Sequence, residues 1–592
     1  MNWNFKRFLD EISFLGDILD DRLKRLAEKT DLTPLISTLD RGKAISDIVE
    51  LFGPGEFEVL GIDGSMDYRD RLEVLILYIS ISGYKCPLTI NDESIEINID
   101  DSSRSDRYTT SAIIPLWLED LNEVLHKSNI GISRSIDKAL EGIPFSIMTF
   151  GEFYMGYKAS REDDEVKVIL YDRPFASSIH PFQRDLRRLI FDEGCGSLVR
   201  IDIGGERITP ADLLLGLYIG PNIYRLPNRP PYRMYSILQY IINNGGEANL
   251  HEVEREFKVD REKLLKGLKR LDAEKLENTL LEESQFNYIK LRDERLNYWS
   301  KIVKLIEMIA DRIYGESDAI HPLYLGDGVW LGSRELNSIT LFTIYDTIKY
   351  SLKNNKLIIG IGKDTYVTDI YRSIVPVARW LGVIKDVEIP IKSDKPLLTM
   401  LSSLQPERFP TPWRLKAYDG AFATTVDAGR EDIPLKAARK VIFQEGLIVR
   451  TYFQLRTIRS IDNTLVRSPV FFYDRFIHPE YDMGNIKRIP VLLSSGETFI
   501  DAYIEEDLSR IDNMILYILS MMDKSEVAEV TGHNYLLFLA DKDAKKSIAV
   551  IRDSVIDAVD AKISQIIRQK GLFIITRRFR DYRYIVEKRR GR

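Results

Sequence analysis

The sequence predicts an α/β or α+β fold in which a mixed sheet is flanked by helices. Short apolar runs rich in β-branched residues, such as 166–172 and 356–363, are typical of buried strands. Other stretches, such as 333–353 and 544–569, have the three- and four-residue apolar spacing of helices. Because the two patterns are interspersed along the chain, we expect a sheet that is covered by helices.

Composition and charge exclude several classes of protein. The 592 residues exceed the roughly 100–200 of one domain, so two or three folding units are expected. The two cysteines, Cys86 and Cys195, cannot build a disulfide framework or a cysteine-rich zinc site, which favours a reducing, cytoplasmic compartment. No signal-like leader and no apolar run of membrane-spanning length is present, so no membrane association is expected. The net charge of −7 means that any nucleic-acid contact has to come from local basic patches.

The elements follow in chain order from these patterns. An apolar stripe predicts a first helix over 5–26, and the runs at 57–65 and 72–82 predict a strand hairpin. The remaining strands and helices outside the middle of the chain are predicted at 166–172, 210–219, 333–353, 356–363, 470–476, 487–493 and 544–569.

The segment from about 230 to 292 has a different pattern. It predicts three short helices followed by two short strands, which resembles a winged helix-turn-helix. The third predicted helix carries Lys266, Lys269 and Arg270, as a DNA-reading helix would, but acidic residues are interspersed with them. Winged helices also serve as protein-interaction modules, so DNA and protein both remain open as its partner.

Two aspartates, Asp63 and Asp172, each follow a predicted strand. Adjacent strands would bring such carboxylates together, and like charges that close repel unless a divalent cation lies between them. Oxygen-only ligation suits Mg²⁺ or Mn²⁺, which can activate water for phosphodiester hydrolysis. Each aspartate also has a purely structural explanation, because the residues after it are typical of a turn.

The residues around these acids resemble the NurA nucleases, which act in DNA end processing. The run GIDGS at 61–65, followed by a long apolar strand, is similar to the first motif of the family, and Asp63 matches its metal-binding aspartate. A helical glutamate and a second strand-end aspartate of the family match Glu152 and Asp172. The family usually continues its second acid with Gly-Ser, whereas this chain has Arg-Pro at 173–174.

Two later motifs fall in the order that the family shows. The strand at 357–363 ends in Lys363, which could contact phosphate or balance the acids, or could simply lie in solvent. The run at 532–541 resembles the segment in which the family has a metal-site histidine, and that position is Asp541 here. An aspartate can still ligate Mn²⁺, although the change could equally alter or weaken the activity. His533 is interpreted as an ordinary residue.

The resemblance implies an RNase H-like fold and a homodimer. It also implies a deoxyribonuclease that depends on Mn²⁺, with Mg²⁺ as an alternative, and has 5′→3′ exonuclease and single-strand endonuclease activity. Its partners would be DNA and a HerA-type hexameric ATPase, and no Walker motif occurs in this chain to supply that ATPase. Asp63, Glu152 and Asp172 would be catalytic and, with Asp541, would bind one or two metal ions. The nuclease domain would span 1–225 and 318–592, interrupted by the winged-helix-like insertion and a connecting helix at 226–317.

Basic residues alternate with aromatic ones in the last segment of the chain. Arg577, Arg578 and Arg580 could contact phosphates there, or the segment could be a solvated terminus. Two other functions stay open beside the nuclease. One is a non-catalytic NurA-like subunit that binds DNA or a motor through the winged helix, and the other is a transcriptional regulator.

Overall fold

A computed structural model gives the structure of the chain. It describes residues 14, 21–71, 74–117, 132–191, 198–226, 228, 232–271, 281–283, 287–316, 319–326, 329–363, 367–385, 387–418, 426–427, 435–437, 448–459, 465–493, 496–524 and 533–570. Most of the helix predicted at 5–26 lies outside these residues, and the described part at 21–29 is helical. Cys86 is a buried free thiol, and Cys195 lies outside the described residues.

The described strands are numbered in chain order. They are β1 Ile36–Thr38, β2 Gly55–Arg71, β3 Val74–Ile90, β4 Ile95–Ile97, β5 Ser103–Arg104, β6 Thr110–Trp117, β7 Val166–Tyr171, β8 Asp202–Ile203, β9 Glu206–Arg207, β10 Glu247–Asn249, β11 Leu281–Glu283, β12 Tyr288–Leu291, β13 Tyr324–Gly326, β14 Val329–Trp330, β15 Leu357–Gly362, β16 Trp413–Leu415, β17 Val426–Asp427, β18 Leu435–Ala437, β19 Ile448–Gln454, β20 Thr457–Arg459, β21 Leu465–Arg467, β22 Phe471–Phe476, β23 Ile486–Leu493 and β24 Gly496–Tyr503.

The α-helices after the segment at 21–29 are numbered in the same way. They are α1 Arg41–Phe52, α2 Ile132–Glu162, α3 Phe175–Phe191, α4 Pro210–Tyr218, α5 Arg233–Asn243, α6 Leu250–Phe257, α7 Arg261–Leu271, α8 Asp293–Leu296, α9 Tyr298–Tyr314, α10 Ser333–Lys353, α11 Val375–Trp380, α12 Asp394–Leu404, α13 Pro479–Asp482, α14 Arg510–Met521 and α15 Tyr535–Lys570. No helix in this part of the chain is both long and apolar enough to cross a membrane.

The predicted mixed sheet flanked by helices is confirmed. An 11-stranded sheet has the order β1-β16-β19-β22-β15-β7-β2-β3-β4, and β5 and β6 also pair with β3. At its centre, β6, β3 and β2 are antiparallel neighbours, while β2, β7 and β15 are parallel. Helix α2 lies between β6 and β7 in the chain, and α3 follows β7. This order of antiparallel and parallel strands, with its connecting helices, is the RNase H-like arrangement.

Each face of the central sheet is covered by its own helices. Side chains alternate along a strand, so β2 directs Leu60 and Ile62 to one face and Val59 to the other. The first face belongs to a core that includes residues of α2, α3 and α10. The second face packs against α1, α14 and the start of α15. The parallel strands β2, β7 and β15 therefore lie between two layers of helices.

The strand predicted at 487–493 is present as β23, but it does not join the main sheet. It pairs with β18 and β24 in a separate four-stranded sheet whose buried residues Ile489 and Val491 belong to another core. This core also contains residues of α11 and α12.

The middle segment contains the elements that its sequence pattern predicts. Helices α5, α6 and α7 are followed by β11 and β12, and β10 adds a third strand in the order β10-β12-β11. Its buried residues are continuous with the core beneath α2 and α10. The assignment as a winged helix and the domain boundaries at 226 and 317 stay predictions.

Candidate metal centre

Three parallel strands place three of the predicted site residues, Asp63, Asp172 and Lys363, side by side. Ile62 of β2 pairs with Tyr171 at the end of β7, so Asp63 and Asp172 are the next residues on neighbouring strands. Lys363 follows β15, the parallel neighbour of β7, and its ammonium group forms an ion pair with Asp172.

All three side chains lie on the same face of the sheet. Val59, Leu170 and Ile361 belong to the core beneath α15, and strand alternation puts Asp63, Asp172 and Lys363 on that face as well. Gly61 shares this face and allows the first turn of α15 to approach closely, because a Cβ at Gly61 would lie 2.8 Å from Cβ of Leu536.

The prediction that Asp63 ends its strand is wrong. Strand β2 continues to Arg71, because β3 pairs with it along its whole length, including Asp63 with Ser82. The other neighbour, β7, ends at Tyr171. The neighbouring strand β7 therefore ends beside Asp63, whereas Asp63, Gly64 and Ser65 all lie within β2.

Glu152 reaches the site from the opposite face of the sheet. It lies on α2 and is buried, and a Cβ at Gly64 would lie 2.7 Å from Glu152 Oε1. Because Gly64 has no side chain, the Glu152 carboxylate can lie directly against β2. This explains in steric terms why the Asp-Gly pair of the first motif places two acids together.

Two glycines on either side of Glu152 let α2 pack closely on its surroundings. A Cβ at Gly151 would lie 2.4 Å from the hydroxyl of Tyr314, and a Cβ at Gly156 would lie 1.6 Å from that of Tyr171. Tyr171 is the last residue of β7, so this close approach ties the helix that carries Glu152 to the strand that precedes Asp172.

Asp541 is brought to the site by α15. The helix is anchored to the β2–β3 hairpin by a hydrogen bond of 2.8 Å from Ser82 Oγ to Asp543 and by an ion pair of 3.1 Å between Arg552 and Asp67. Asp541 interacts electrostatically with both Asp63 and Asp172.

The acids destabilise one another's charged forms. Burial raises the pKa of Asp63 well above its usual value, and the nearby Asp172, Glu152 and Asp541 raise it further, against the opposing charge of Lys363. Burial also raises the pKa of Asp172, although Lys363 and a hydrogen bond with Asp63 oppose this effect. Because both pKa values are raised, Asp63 and Asp172 resist being fully ionised at the same time.

Three cations engage the other acids. Arg173 Nε donates to Glu152 over 2.7 Å, Lys363 pairs with Asp172, and Lys545 donates to Asp541 over 2.8 Å. The four predicted ligands share one region, but no three of them have oxygens within 4.8 Å of one another. In the described part of the chain, the one group of three acids that does so is Glu58, Asp163 and Glu165.

That second acidic group already has its charge compensated. Lys85 pairs with Glu58 and lies 3.1 Å from Asp163, and the hydroxyl of Tyr108 donates to Asp163 over 2.7 Å. Asp163 and Glu165 of this group come just before β7, whereas Asp172 of the predicted site comes just after β7.

The donor set around Asp63 fits a divalent cation. It consists of carboxylate oxygens alone, which are the ligands that Mg²⁺ and Mn²⁺ prefer. Burial, together with the nearby carboxylates, raises the pKa of Asp63 and Asp172, and a bound cation would favour the charged form of both groups.

The remaining predicted site residues belong to two other parts of the chain. Lys266, Lys269 and Arg270 are exposed on α7, and Arg577, Arg578 and Arg580 lie outside the described residues. Sequence reasoning missed the ion pairs that Arg173 and Lys545 form. A signal for Lys545 was present, since it follows Asp541 by four residues on a predicted helix.

Comparison with known proteins gives matches among solved structures. No family model matches the sequence, and no curated protein matches it either. A crystal structure of NurA with manganese is 14% identical over 93% of this chain and 98% of its own, with a TM-score of 0.33. The NurA nuclease from Sulfolobus solfataricus is 11% identical over 95% of this chain and 98% of its own, with a TM-score of 0.34. A crystal structure of NurA bound to dAMP and manganese is 12% identical over 90% of this chain and 92% of its own, with a TM-score of 0.31. Along most of its length, the chain is thus similar to structures of NurA.

Proposed function

We propose that the chain is a DNA nuclease that depends on a divalent cation, Mn²⁺ or Mg²⁺. One observation carries the proposal: Asp63, Glu152, Asp172 and Asp541 come from four separate segments and meet at one edge of the sheet. Burial and the three neighbouring carboxylates raise the pKa of Asp63, and the opposing charge of Lys363 does not cancel this shift. The order of the sequence motifs, which resembles NurA, supports DNA as the substrate.

The residues have distinct roles in this proposal. Asp63, Asp172 and Asp541 would hold the cation, and Glu152 would complete the set from the other face of the sheet. The cation would activate a water molecule for attack on phosphorus and stabilise the charge that develops on the leaving oxygen. Lys363, which now pairs with Asp172, would then be available to contact a phosphate of the substrate.

A cleavage assay tests the proposal. We expect end-labelled single- or double-stranded DNA to be cut in the presence of Mn²⁺ or Mg²⁺ and to stay intact in EDTA. Cleavage that continues in EDTA would contradict a metal-dependent reaction. Absence of cleavage in every metal, with protein that binds DNA, would favour the second candidate function below.

The finer features of the proposal follow the motif resemblance. They are 5′→3′ exonuclease and single-strand endonuclease activity, a homodimer and a HerA-type ATPase as the motor partner.

We also propose that α7 contacts DNA. Lys263, Lys266, Lys269 and Arg270 are exposed, and within the described residues none of them has an ion-pair partner. Neighbouring cations are paired, as Arg225 is with Glu256 and Lys290 with Asp293. Unpaired cations on one short helix favour phosphate as their partner.

Replacing Lys263, Lys266 and Lys269 by Gln is expected to weaken DNA binding and to reduce the slope of log affinity against log salt by about 2 to 3. The triple replacement of the exposed Arg41, Lys43 and Lys385 by Gln is the matched control and should leave the slope unchanged. Equal slopes for the two triple variants would assign α7 to a protein partner instead.

A non-catalytic DNA- or motor-binding subunit is the second candidate function. The ion pairs of Arg173 with Glu152 and of Lys545 with Asp541 favour it, because they compensate two of the four acids without a metal. Such a subunit would bind DNA with a steep salt dependence and leave it uncut in Mn²⁺.

A further inference from the structure

His533 is a buried polar side chain that makes no hydrogen bond with the described part of the chain. The residue is 7% exposed, and neither Nδ1 nor Nε2 has a partner among the described residues. Burial lowers the pKa of His533 to about 3, and the charges of Lys363 and Lys395 contribute. The ring is therefore neutral and carries one N–H donor and one acceptor nitrogen. An unsatisfied buried polar group destabilises a fold, so its presence here calls for an explanation.

An aromatic ring and two lysines surround His533. Its ring packs on Phe471, with ring centres 5.4 Å apart, and the ammonium group of Lys395 lies 5.0 Å above the same Phe471 ring. Lys395 also donates to the carbonyl oxygen of Lys363 over 2.5 Å. The imidazole of His533, which has no hydrogen-bond partner among the described residues, thus lies with two lysines at the end of β15.

This group of residues is continuous with the acid cluster. Gly362 pairs with Phe472, so Phe471 lies across from Lys363 on the neighbouring strand. Lys363 in turn forms its ion pair with Asp172. Lys363 therefore links His533 and Lys395 to the candidate metal centre.

We propose that His533, Lys395 and Lys363 form a phosphate-binding subsite that holds the DNA phosphodiester next to the one cleaved at the acids. The imidazole N–H donates to a phosphate oxygen, and the two ammonium groups balance the phosphate charge. The inference rests on the proposed nuclease function. It assigns a binding role to a histidine that the sequence pattern alone leaves unremarkable.

The test measures binding of a single-stranded 12-mer to the full chain carrying Asp63→Asn, in EDTA, by fluorescence anisotropy. One linkage at a time is replaced by an uncharged methylphosphonate. We expect one linkage at which this replacement weakens binding about tenfold, the effect of losing a hydrogen bond to a charged group. Adding His533→Phe, which keeps the ring packing on Phe471, should weaken binding of the unmodified 12-mer and abolish the effect at that linkage. Lys395→Gln should do the same, and it serves as the second variant if His533→Phe alters the thermal unfolding.

The outcomes separate the subsite from the proposed function. If the chain cleaves DNA but neither variant changes the effect of any methylphosphonate linkage on binding, the subsite alone is overturned. A chain that neither cleaves nor binds DNA overturns the nuclease and the subsite together. In the cleavage assay, His533→Phe is expected to raise KM with little change in kcat, because the subsite contact is the same before and during bond breakage. A loss confined to kcat contradicts a binding role.

Discussion

Asp63→Asn is expected to abolish metal-dependent cleavage, by roughly 10³-fold or more, while making the metal-free chain more stable. Asn offers one neutral oxygen in place of a carboxylate, so the cation loses its central charged ligand. Loss of about 4 kcal/mol of transition-state stabilisation corresponds to this factor.

The stability gain follows from the direction of the pKa shift. Because the folded state raises the pKa of Asp63, the charged carboxylate is less favourable there than in the unfolded chain. Its destabilising contribution is absent below the usual aspartate pKa and grows as the pH rises toward the raised value. At neutral pH, Asn should therefore add about 1 kcal/mol or more to the free energy of unfolding, and the gain should vanish near pH 3.

Added Mn²⁺ is expected to reverse this order of stability. The wild-type chain should be stabilised by added Mn²⁺ in a thermal unfolding experiment, and Asp63→Asn should not. Glu165→Gln, in the second acidic group, is the control and should cleave DNA like the wild type. An Asp63→Asn chain that cuts DNA at the wild-type rate would contradict the assignment of the site.

Gly156→Ala is expected to be the most destabilising single methyl addition near the site. The new Cβ would lie 1.6 Å from the hydroxyl oxygen and 2.6 Å from Cζ of Tyr171, a ring that is 1% exposed and packed against Phe153 and Phe175. Overpacking of this kind costs about 3 kcal/mol, which outweighs the roughly 1 kcal/mol that alanine gains over glycine in a helix. Because α2 carries Glu152, cleavage should fall as well. Urea unfolding measures the first effect.

A second substitution separates steric overlap from other causes. The Tyr171 hydroxyl is buried and has no hydrogen-bond partner among the described residues, so Tyr171→Phe alone should be neutral or stabilising. In combination with Gly156→Ala it should recover part of the lost stability, which gives a favourable coupling energy.

Gly142→Ala on the same helix is the matched control. Among the described residues, the new Cβ would meet Ser333 Oγ at 3.5 Å, an ordinary contact, so this change should stabilise the chain by about 0.5–1 kcal/mol. Equal effects at positions 142 and 156 would contradict the close approach of Tyr171.

The central strands could be predicted because their signals are local. The apolar runs at 166–172, 356–363 and 470–476 correspond to β7, β15 and β22 within one residue at most ends. Each is buried on both faces, so tertiary packing reinforces the apolar pattern and does not compete with it. The same holds for the helix at 333–353, whose bounds agree with those of α10.

The length of β2 could not be predicted from its own residues. Asp63-Gly64-Ser65 has the composition of a turn, yet it stays extended because β3 offers a pairing partner along its whole length. Local turn propensity is weak compared with a continuous ladder of backbone hydrogen bonds, and only the partner strand reveals which one prevails.

The interactions around the acids were also beyond sequence reasoning. The contact of Arg173 with Glu152 joins a loop to a helix on the other face of the sheet, and the position of His533 depends on where β22 and α12 lie. Contacts between segments that are far apart in sequence carry no periodic signal. The candidate ligands themselves were recognised by motif, whereas their separation and their cationic partners required the structure.

The central claim is that Asp63, Glu152, Asp172 and Asp541 form one metal centre. Anomalous scattering from a crystal of the chain soaked in Mn²⁺, recorded at the manganese edge, tests it most directly. We predict a peak between Asp63 and Asp172, with Lys363 displaced from its ion pair, and no such peak in Asp63→Asn crystals. A peak confined to Glu58, Asp163 and Glu165, or no peak at any acid, would contradict the claim.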